Sequence, residues 1–262
     1  MRALILNMAT ATERMGFMAA QMAALGMAWE RIEAVTPATL APPATDPVWH
    51  RWQRPLRATE MALCASHMAA WARVEALAEP CVVLEDDAVL SSDLPAFLAA
   101  VRHLPGVEHI SLETRSRKKL VARRAHPEAP IRRLYQDRTG SAAYVVWPAG
   151  ARKLLCNARR AGAPSDALIS ATYSMSSWQA DPALAVQLDQ CEAYGVPQAI
   201  PTVSLIDAVK KPALAAEEAA ARRAYRVRRL AAQLRMGLRQ LRFAGVAERR
   251  EVGVAGPWVD PG

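Results

Sequence analysis

The chain has 262 residues, of which 52% are hydrophobic. That excludes a wholly disordered polymer and is enough for one large buried core with a tail. No run approaches the roughly 20 continuous apolar residues of a membrane span, and the apolar run in Met1-Arg2-Ala3-Leu4-Ile5-Leu6-Asn7 is too short for a signal-peptide core. A cytoplasmic location is expected. The net charge of +8 is unevenly spread. Residues 115–138 hold nine Lys/Arg and two acids, residues 214–251 hold ten Arg and four acids, and the remainder holds fourteen bases and nineteen acids. A mildly acidic body thus carries two basic patches of the kind that attract phosphate, nucleic acid or anionic lipid. Cys64, Cys81, Cys156 and Cys191 show no Cys-x-x-Cys spacing and read as reduced, small apolar side chains.

Taken in order, Ala3-Leu4-Ile5-Leu6 reads as a short buried strand. Thr12 is placed to cap a helix over about 13–25, where Met15, Met18, Met22 and Leu25 recur at helical spacing and Gly26 ends it. Residues 29–35 read as a second strand, and residues 36–55, with prolines at 37, 42, 43, 47 and 55, as a loop. A helix is expected over 58–78, capped by Thr59, with Glu60, Cys64, His67 and Trp71 on one face. Cys81-Val82-Val83-Leu84 is a buried strand, followed by a helix over 95–101 and a strand over 109–113. The basic stretch 115–133 has no clear period and reads as a loop. Residues 141–147 read as a strand, Pro148 opens a helix over 148–161, and residues 183–187 read as a last strand. This alternation points to an α/β domain with a mixed, mostly parallel sheet over residues 1–208. Residues 209–262 read as a basic helical tail, with Val227, Leu230, Leu234, Leu238 and Leu241 in one apolar stripe among arginines.

The most informative feature is Glu85-Asp86-Asp87, which directly follows a wholly apolar strand. In open α/β sheets ligands bind outside the carboxyl ends of the strands. Three successive carboxylates repel one another, a conflict that a hard cation bridging to phosphates would relieve. Alternation along an extended chain places Glu85 and Asp87 on one side and Asp86 on the other.

Several stretches, in order, resemble glycosyltransferase family 25, the lipopolysaccharide-biosynthesis and procollagen-galactosyltransferase-like family. They are Leu4-Ile5-Leu6-Asn7 with Glu13-Arg14, Ile32-Glu33-Ala34-Val35, Thr59-Glu60 through Ser66-His67, Val82 through Leu90, Gly140 through Val146 with Gly150 through Leu155, and Pro164-Ser165-Asp166. The opening loop Met8-Ala9-Thr10-Ala11-Thr12 is uncharged where the family is usually rich in Arg and Asp. The resemblance implies a GT-A-like nucleotide-sugar-binding domain. It also implies inverting, metal-assisted transfer of a hexose, galactose or glucose, from a UDP-sugar to a lipopolysaccharide or related glycan acceptor. It implies Asp87 and Glu85 as ligands of Mn²⁺ or Mg²⁺, Asp166 as general base and Asp86 at the donor sugar. Asn7, Arg14, Glu60, His67, Tyr144 and Gln187 are the expected substrate contacts. A non-catalytic nucleotide-sugar- or carbohydrate-binding relative is the alternative. The expected partners are the UDP-sugar, a glycan or lipid-linked acceptor, and the anionic inner membrane surface through the C-terminal helix. No helix-turn-helix, RNA-recognition or zinc signature accompanies the arginines, so nucleic acid is not an expected partner.

Overall fold

Burial alternates along the central strands. In the computed structural model, which describes residues 1–138, 140–201 and 219–259, β1 (Arg2–Asn7) turns Ala3 and Ile5 to one core cluster and Leu4 and Leu6 to another. β3 (Cys81–Glu85) and β8 (Ala143–Val146) divide in the same way, with Val82, Leu84, Ala143 and Val145 on the first side and Cys81, Val83, Tyr144 and Val146 on the second. Side chains of period two, apolar on both faces, require cover on both faces. α1 (Thr12–Ala24) and α3 (Leu94–Val101) supply Phe17, Met18, Met22, Phe97 and Leu98 to the first cluster. α2 (Ala58–Leu77), α4 (Pro148–Arg160) and α5 (Ser165–Ala171) supply Trp71, Val74, Leu154, Leu155 and Leu168 to the second. The result is a mixed α/β fold with helices on both faces of a sheet.

Among the described residues the sheet has nine strands, in the order β11-β6-β7-β9-β5-β8-β3-β1-β2. The remaining members are β2 (Trp29–Glu33), β5 (His109–Ser111), β6 (Lys119–Ala125), β7 (Ile131–Gln136), β9 (Ser177–Ala180) and β11 (Ala247–Arg250). β1 pairs in parallel with β2 and β3, and β5 with β9, while the other five pairings are antiparallel. Strands β1, β2, β3, β5, β6 and β9 therefore run one way, and β7, β8 and β11 run against them. The strand expected over 183–187 is β10 (Ala185–Gln187), and it lies outside this sheet: it pairs with β4 (Ala88–Leu90) in a separate two-stranded one.

Several expectations are corrected. The basic stretch 115–133 contains β6 and the start of β7 rather than being a loop throughout. Val121 and Ile131 are fully buried and anchor the pair. The β6–β7 register shifts between Leu120 and Val121 and again between Val121 and Ala125. These irregularities break the period-two pattern that makes a strand readable. Thr12 and Thr59 are not caps. The N-cap positions are Ala11 and Arg57, and the Glu60 carboxylate accepts the Arg57 backbone N–H at 2.9 Å. The C-terminal segment is not a purely helical tail. α7 (Ala219–Phe243) is followed by a turn at 244–246, after which the chain returns as β11 against β6 and buries Val252 and Val259 on the domain. The expected boundary at 208–209 lies outside the described residues.

One polar side chain fixes the acidic turn to the body of the fold. Gln21, fully buried on α1, donates through Nε2 to the Ala88 carbonyl and accepts the Leu90 N–H at Oε1, both at 2.9 Å. Asp87 is held from the other side, where its carbonyl accepts the Leu188 N–H at 2.9 Å. Gln21→Leu keeps the side-chain volume but strands backbone groups of β4. Urea denaturation of this variant is expected to show a loss of stability of about 1–3 kcal/mol for each group left unpaired.

Candidate active site

The strand that carries the acidic triplet lies between β1 and β8, so its carboxyl end opens beside the carboxyl end of β1. Alternation then separates the first two carboxylates. Glu85 continues the side of Cys81 and Val83, where α2 packs. Asp86 lies toward α1. Its Oδ2 accepts from Asn7 Nδ2 at 2.8 Å and its Oδ1 from Arg14 Nη1 at 3.1 Å. Asn7 Nδ2 also donates to the Ala11 carbonyl at 3.1 Å, which ties the uncharged opening loop to the same group.

Behind Glu85 runs a buried chain of hydrogen bonds. Trp71 Nε1–H donates to the Tyr144 hydroxyl at 2.7 Å. Burial holds the Tyr144 phenol well above its ordinary pKa, so it keeps its proton. The Tyr144 hydroxyl, which accepts from the indole, lies 2.9 Å from His67 Nδ1 and donates its proton there. His67 Nε2–H then donates to Glu85 Oε1 at 3.2 Å. This direction is assigned from the network: the ionised Glu85 carboxylate only accepts, so Nε2 carries a proton and Nδ1 is left to accept from Tyr144. The Ser141 hydroxyl donates to the same oxygen at 2.7 Å. Burial opposes ionisation of Glu85, but the hydrogen bond and electrostatic attraction of His67, the Ser141 hydrogen bond and the nearby Arg115 charge together outweigh it and hold the carboxyl below the usual range.

Asp87 is in the opposite situation. Its Oδ1 is buried with no hydrogen-bond partner among the described residues. Burial, reinforced by the neighbouring Glu85 and Asp86 carboxylates, pushes it up to about 7. The chain turns at Asp86 and Asp87, so strand alternation no longer places Asp87.

These groups line a cleft of about 670 Å³. Glu13, Glu85, Asp86, Asp87, Asp166 and Asp189 face it against Arg14 and Arg115, so carboxylates outnumber arginines six to two. Asp166 is in the first turn of α5, where its Oδ1 accepts the Ala167 N–H at 2.6 Å and burial raises its pKa. It is not the N-cap, a position taken by Pro164. Arg115, on the β5–β6 loop, pairs across the cleft with Asp189, in the turn after β10. Two further residues of the cleft lining, Thr59 and Gln187, have a buried oxygen, Oγ1 and Oε1, without a hydrogen-bond partner among the described residues.

Of the residues singled out from sequence, the structure therefore brings Asn7, Arg14, Glu85, Asp86, Asp87, Asp166 and Gln187 to one cleft. It does not bring Glu60, His67 or Tyr144 there as contacts. Glu60 is buried at the start of α2, where Arg54 donates to both its oxygens at 2.8 Å, and it serves the helix end. His67 and Tyr144 are fully buried behind Glu85 and act through it. Sequence reading missed Arg115, Asp189, Ser141 and Gln21. Gln21 had a usable signal, a lone amide between Met18 and Met22 on an otherwise apolar helix face.

Carboxylate oxygens suit a hard divalent cation, and the unpartnered Asp87 Oδ1 fits such a ligand. Among the described residues no group of three or more His, Cys, Asp or Glu is arranged to hold a metal unaided. Cations of the Mg²⁺ type are commonly held by one or two carboxylates together with substrate phosphates.

A mixed α/β fold with an acidic cleft at its strand ends places a candidate ligand site where open α/β sheets carry theirs, and comparison of the sequence supplies the class. The model of glycosyltransferase family 25 (LPS biosynthesis protein) matches residues 1–169, more than half of the chain, and the protein belongs to that family. Membership assigns glycosyl transfer as the activity class and, with it, a nucleotide-sugar donor and a glycan acceptor in general terms. The matched residues include the acidic turn and Asp166 but not Gln187 or α7. No protein with a curated description matches the chain.

Two measurements probe the groups beneath the cleft. Tyr144→Phe leaves Trp71 Nε1–H and His67 Nδ1 unpaired, and calorimetry is expected to show a loss of about 1–3 kcal/mol for each. Glu113, 1% exposed, accepts from the Ala142 N–H at 2.7 Å through Oε1, while its Oε2 has no partner. Burial pushes this carboxyl up to about 8. Because the folded form holds its proton more tightly than the unfolded chain, the stability this group contributes is fully present below pH 4.5, its unperturbed value, and is lost as pH rises from there toward 8. The slope is roughly 1.4 kcal/mol per pH unit for one such proton. Glu113→Gln stays neutral, so denaturation midpoints of this variant are expected to lose that part of the slope.

Proposed function

We propose that the protein is a GT-A-like hexosyltransferase. In this reading it moves galactose or glucose from a UDP-sugar to a hydroxyl of a lipopolysaccharide or related glycan, with inversion and with Mn²⁺ or Mg²⁺ as cofactor. One observation carries the proposal. Three residues that line one acidic cleft at the strand ends of a family-25 chain, Asp87, Gln187 and Thr59, each carry a buried oxygen with no hydrogen-bond partner among the described residues. Orphaned polar atoms are costly in a folded protein unless a ligand completes them.

Each residue has a role in this reading. Asp87, with the second oxygen of Glu85, would hold the divalent ion, which when bound offsets the charge of the donor diphosphate. The Trp71–Tyr144–His67 chain keeps Glu85 ionised and fixes its rotamer, which is a positioning role. Asp86, fixed by Asn7 and Arg14, presents its remaining lone pairs to hydroxyls of the donor. Arg14 and Arg115 are the cleft cations placed to meet phosphate. Asp166 takes the proton from the acceptor hydroxyl. Its raised pKa improves it as a base near neutral pH, because a general base works best when its pKa approaches the operating pH.

The test is a thermal-shift and transfer screen of UDP-sugars with and without Mn²⁺. One UDP-sugar is expected to stabilise the protein only with the metal, and to release UDP when a glycan acceptor is added. Asp87→Asn is expected to retain the fold and lose the metal-dependent stabilisation. Asp166→Asn is expected to keep donor binding and lose turnover by roughly 10²–10⁴-fold. Metal-dependent binding without turnover on any acceptor would instead establish the non-catalytic, binding-only role.

A further inference from the structure

The helix α7 has two faces of different character. Its inner face is fixed to the domain. Tyr225 is buried, Arg228 Nη1 donates to the Trp52 carbonyl at 2.9 Å, and Arg239 Nε donates to the Tyr135 carbonyl at 2.6 Å. Phe243 stacks on Tyr135 with ring centroids 4.1 Å apart. This dictates which way the opposite face points. Leu230, Leu234, Val227, Leu238 and Leu241 all lie on that outer face, at 58–75% exposed. Val246, in the turn that follows, is 56% exposed. The five helical positions fall within a sector of about 80° at 100° per residue, so they form one continuous apolar ridge in solvent. Isolated exposed leucines need no explanation, but a contiguous ridge marks a contact surface.

The charge around the ridge selects the partner. α7 carries eight arginines and no Asp or Glu. Arg223, Arg226, Arg235 and Arg242 are exposed along and beside the ridge. Arg123 of β6, also exposed, is adjacent, with its backbone N–H donating to the Val246 carbonyl at 2.9 Å. A second copy of the helix would bring a second set of arginines against the first with no acid on either. A nucleic acid would satisfy the arginines but leave the leucines in water. An anionic lipid surface satisfies both, because leucines enter the acyl boundary while arginines meet headgroup phosphates.

We infer that the outer face of α7 is an interfacial membrane anchor, which lies in the plane of an anionic bilayer and does not cross it. No helix among the described residues is long and apolar enough to cross one. The inference is independent of the cleft and of the reaction assigned to it.

Co-sedimentation of the full chain with vesicles tests it. Binding to phosphatidylcholine vesicles containing phosphatidylglycerol is expected, with little binding to phosphatidylcholine alone and a loss as salt is raised. The double variant Leu234→Glu/Leu238→Glu alters only exposed side chains. It is expected to keep its unfolding temperature and donor-induced stabilisation while vesicle partitioning falls by roughly tenfold or more. A charge variant, Arg226→Glu/Arg235→Glu, is expected to lose the preference for anionic vesicles. Unchanged partitioning of the leucine variant, or no binding by the parent chain, would overturn the inference. A parent chain that sediments as a dimer without lipid, and as a monomer once the leucines are replaced, would show the ridge to be a self-association face. Equal retention by DNA and by vesicles would assign it to polyanions in general.

Discussion

Three successive carboxylates at the end of a fully buried strand repel one another, and much of the local architecture offsets that repulsion. Strand alternation does the first part by directing Glu85 toward α2 and Asp86 toward α1. Each then meets donors supplied by its own layer. Asp86 meets an amide and a guanidinium, and Glu85 meets a hydroxyl and an imidazole that is itself oriented from behind. Asp87 receives no such compensation and keeps a bare buried oxygen. The neighbouring backbone is accordingly anchored from two directions, by Gln21 and by Leu188. The turn is stiff while its last carboxylate is unsatisfied, and that combination is what a site built for an exchangeable ligand requires.

The central strands were legible because their chemistry is local. Apolar runs ending in a polar side chain, Asn7 in β1 and Glu85 in β3, and helices bounded by Gly26, Pro80 and Pro148 follow from patterns within a few residues. β6 and β7 were not, because bulges shift their register and arginines fill their exposed positions. β10 was visible as a strand, but its partner was not. The pairing with β4 joins segments that lie nearly a hundred residues apart, and no local pattern encodes it.

The site divides along the same line. The acidic turn could be placed at a strand end from sequence alone. The Asn7–Asp86–Arg14 group could be nominated only as separate residues, since its members meet through folding. Glu60 and His67 share a helix face, and by spacing alone both read as site residues. In the fold, the first stabilises the helix start and the second stands one layer behind the carboxylate it serves. The Arg115–Asp189 pair spans 74 positions and had no signal. The family match ends at residue 169, within α5, so the later part of the cleft wall and all of α7 are features of this chain that the match does not describe.

The strand order has a further consequence at its two ends. An open sheet has two edges with unpaired backbone groups, and such edges recruit strands from other molecules. Here the edges are β2 and β11. The first reads Trp-Glu-Arg-Ile-Glu and the second Ala-Glu-Arg-Arg. In β2 only Ile32 is buried, and in β11 only Ala247. A neighbouring chain that approached either border would have to desolvate a row of acids and bases before forming any ladder. The charges at 30, 31, 33, 248, 249 and 250 thus guard against edge-to-edge aggregation, and they let a broad, mostly apolar sheet end cleanly in water.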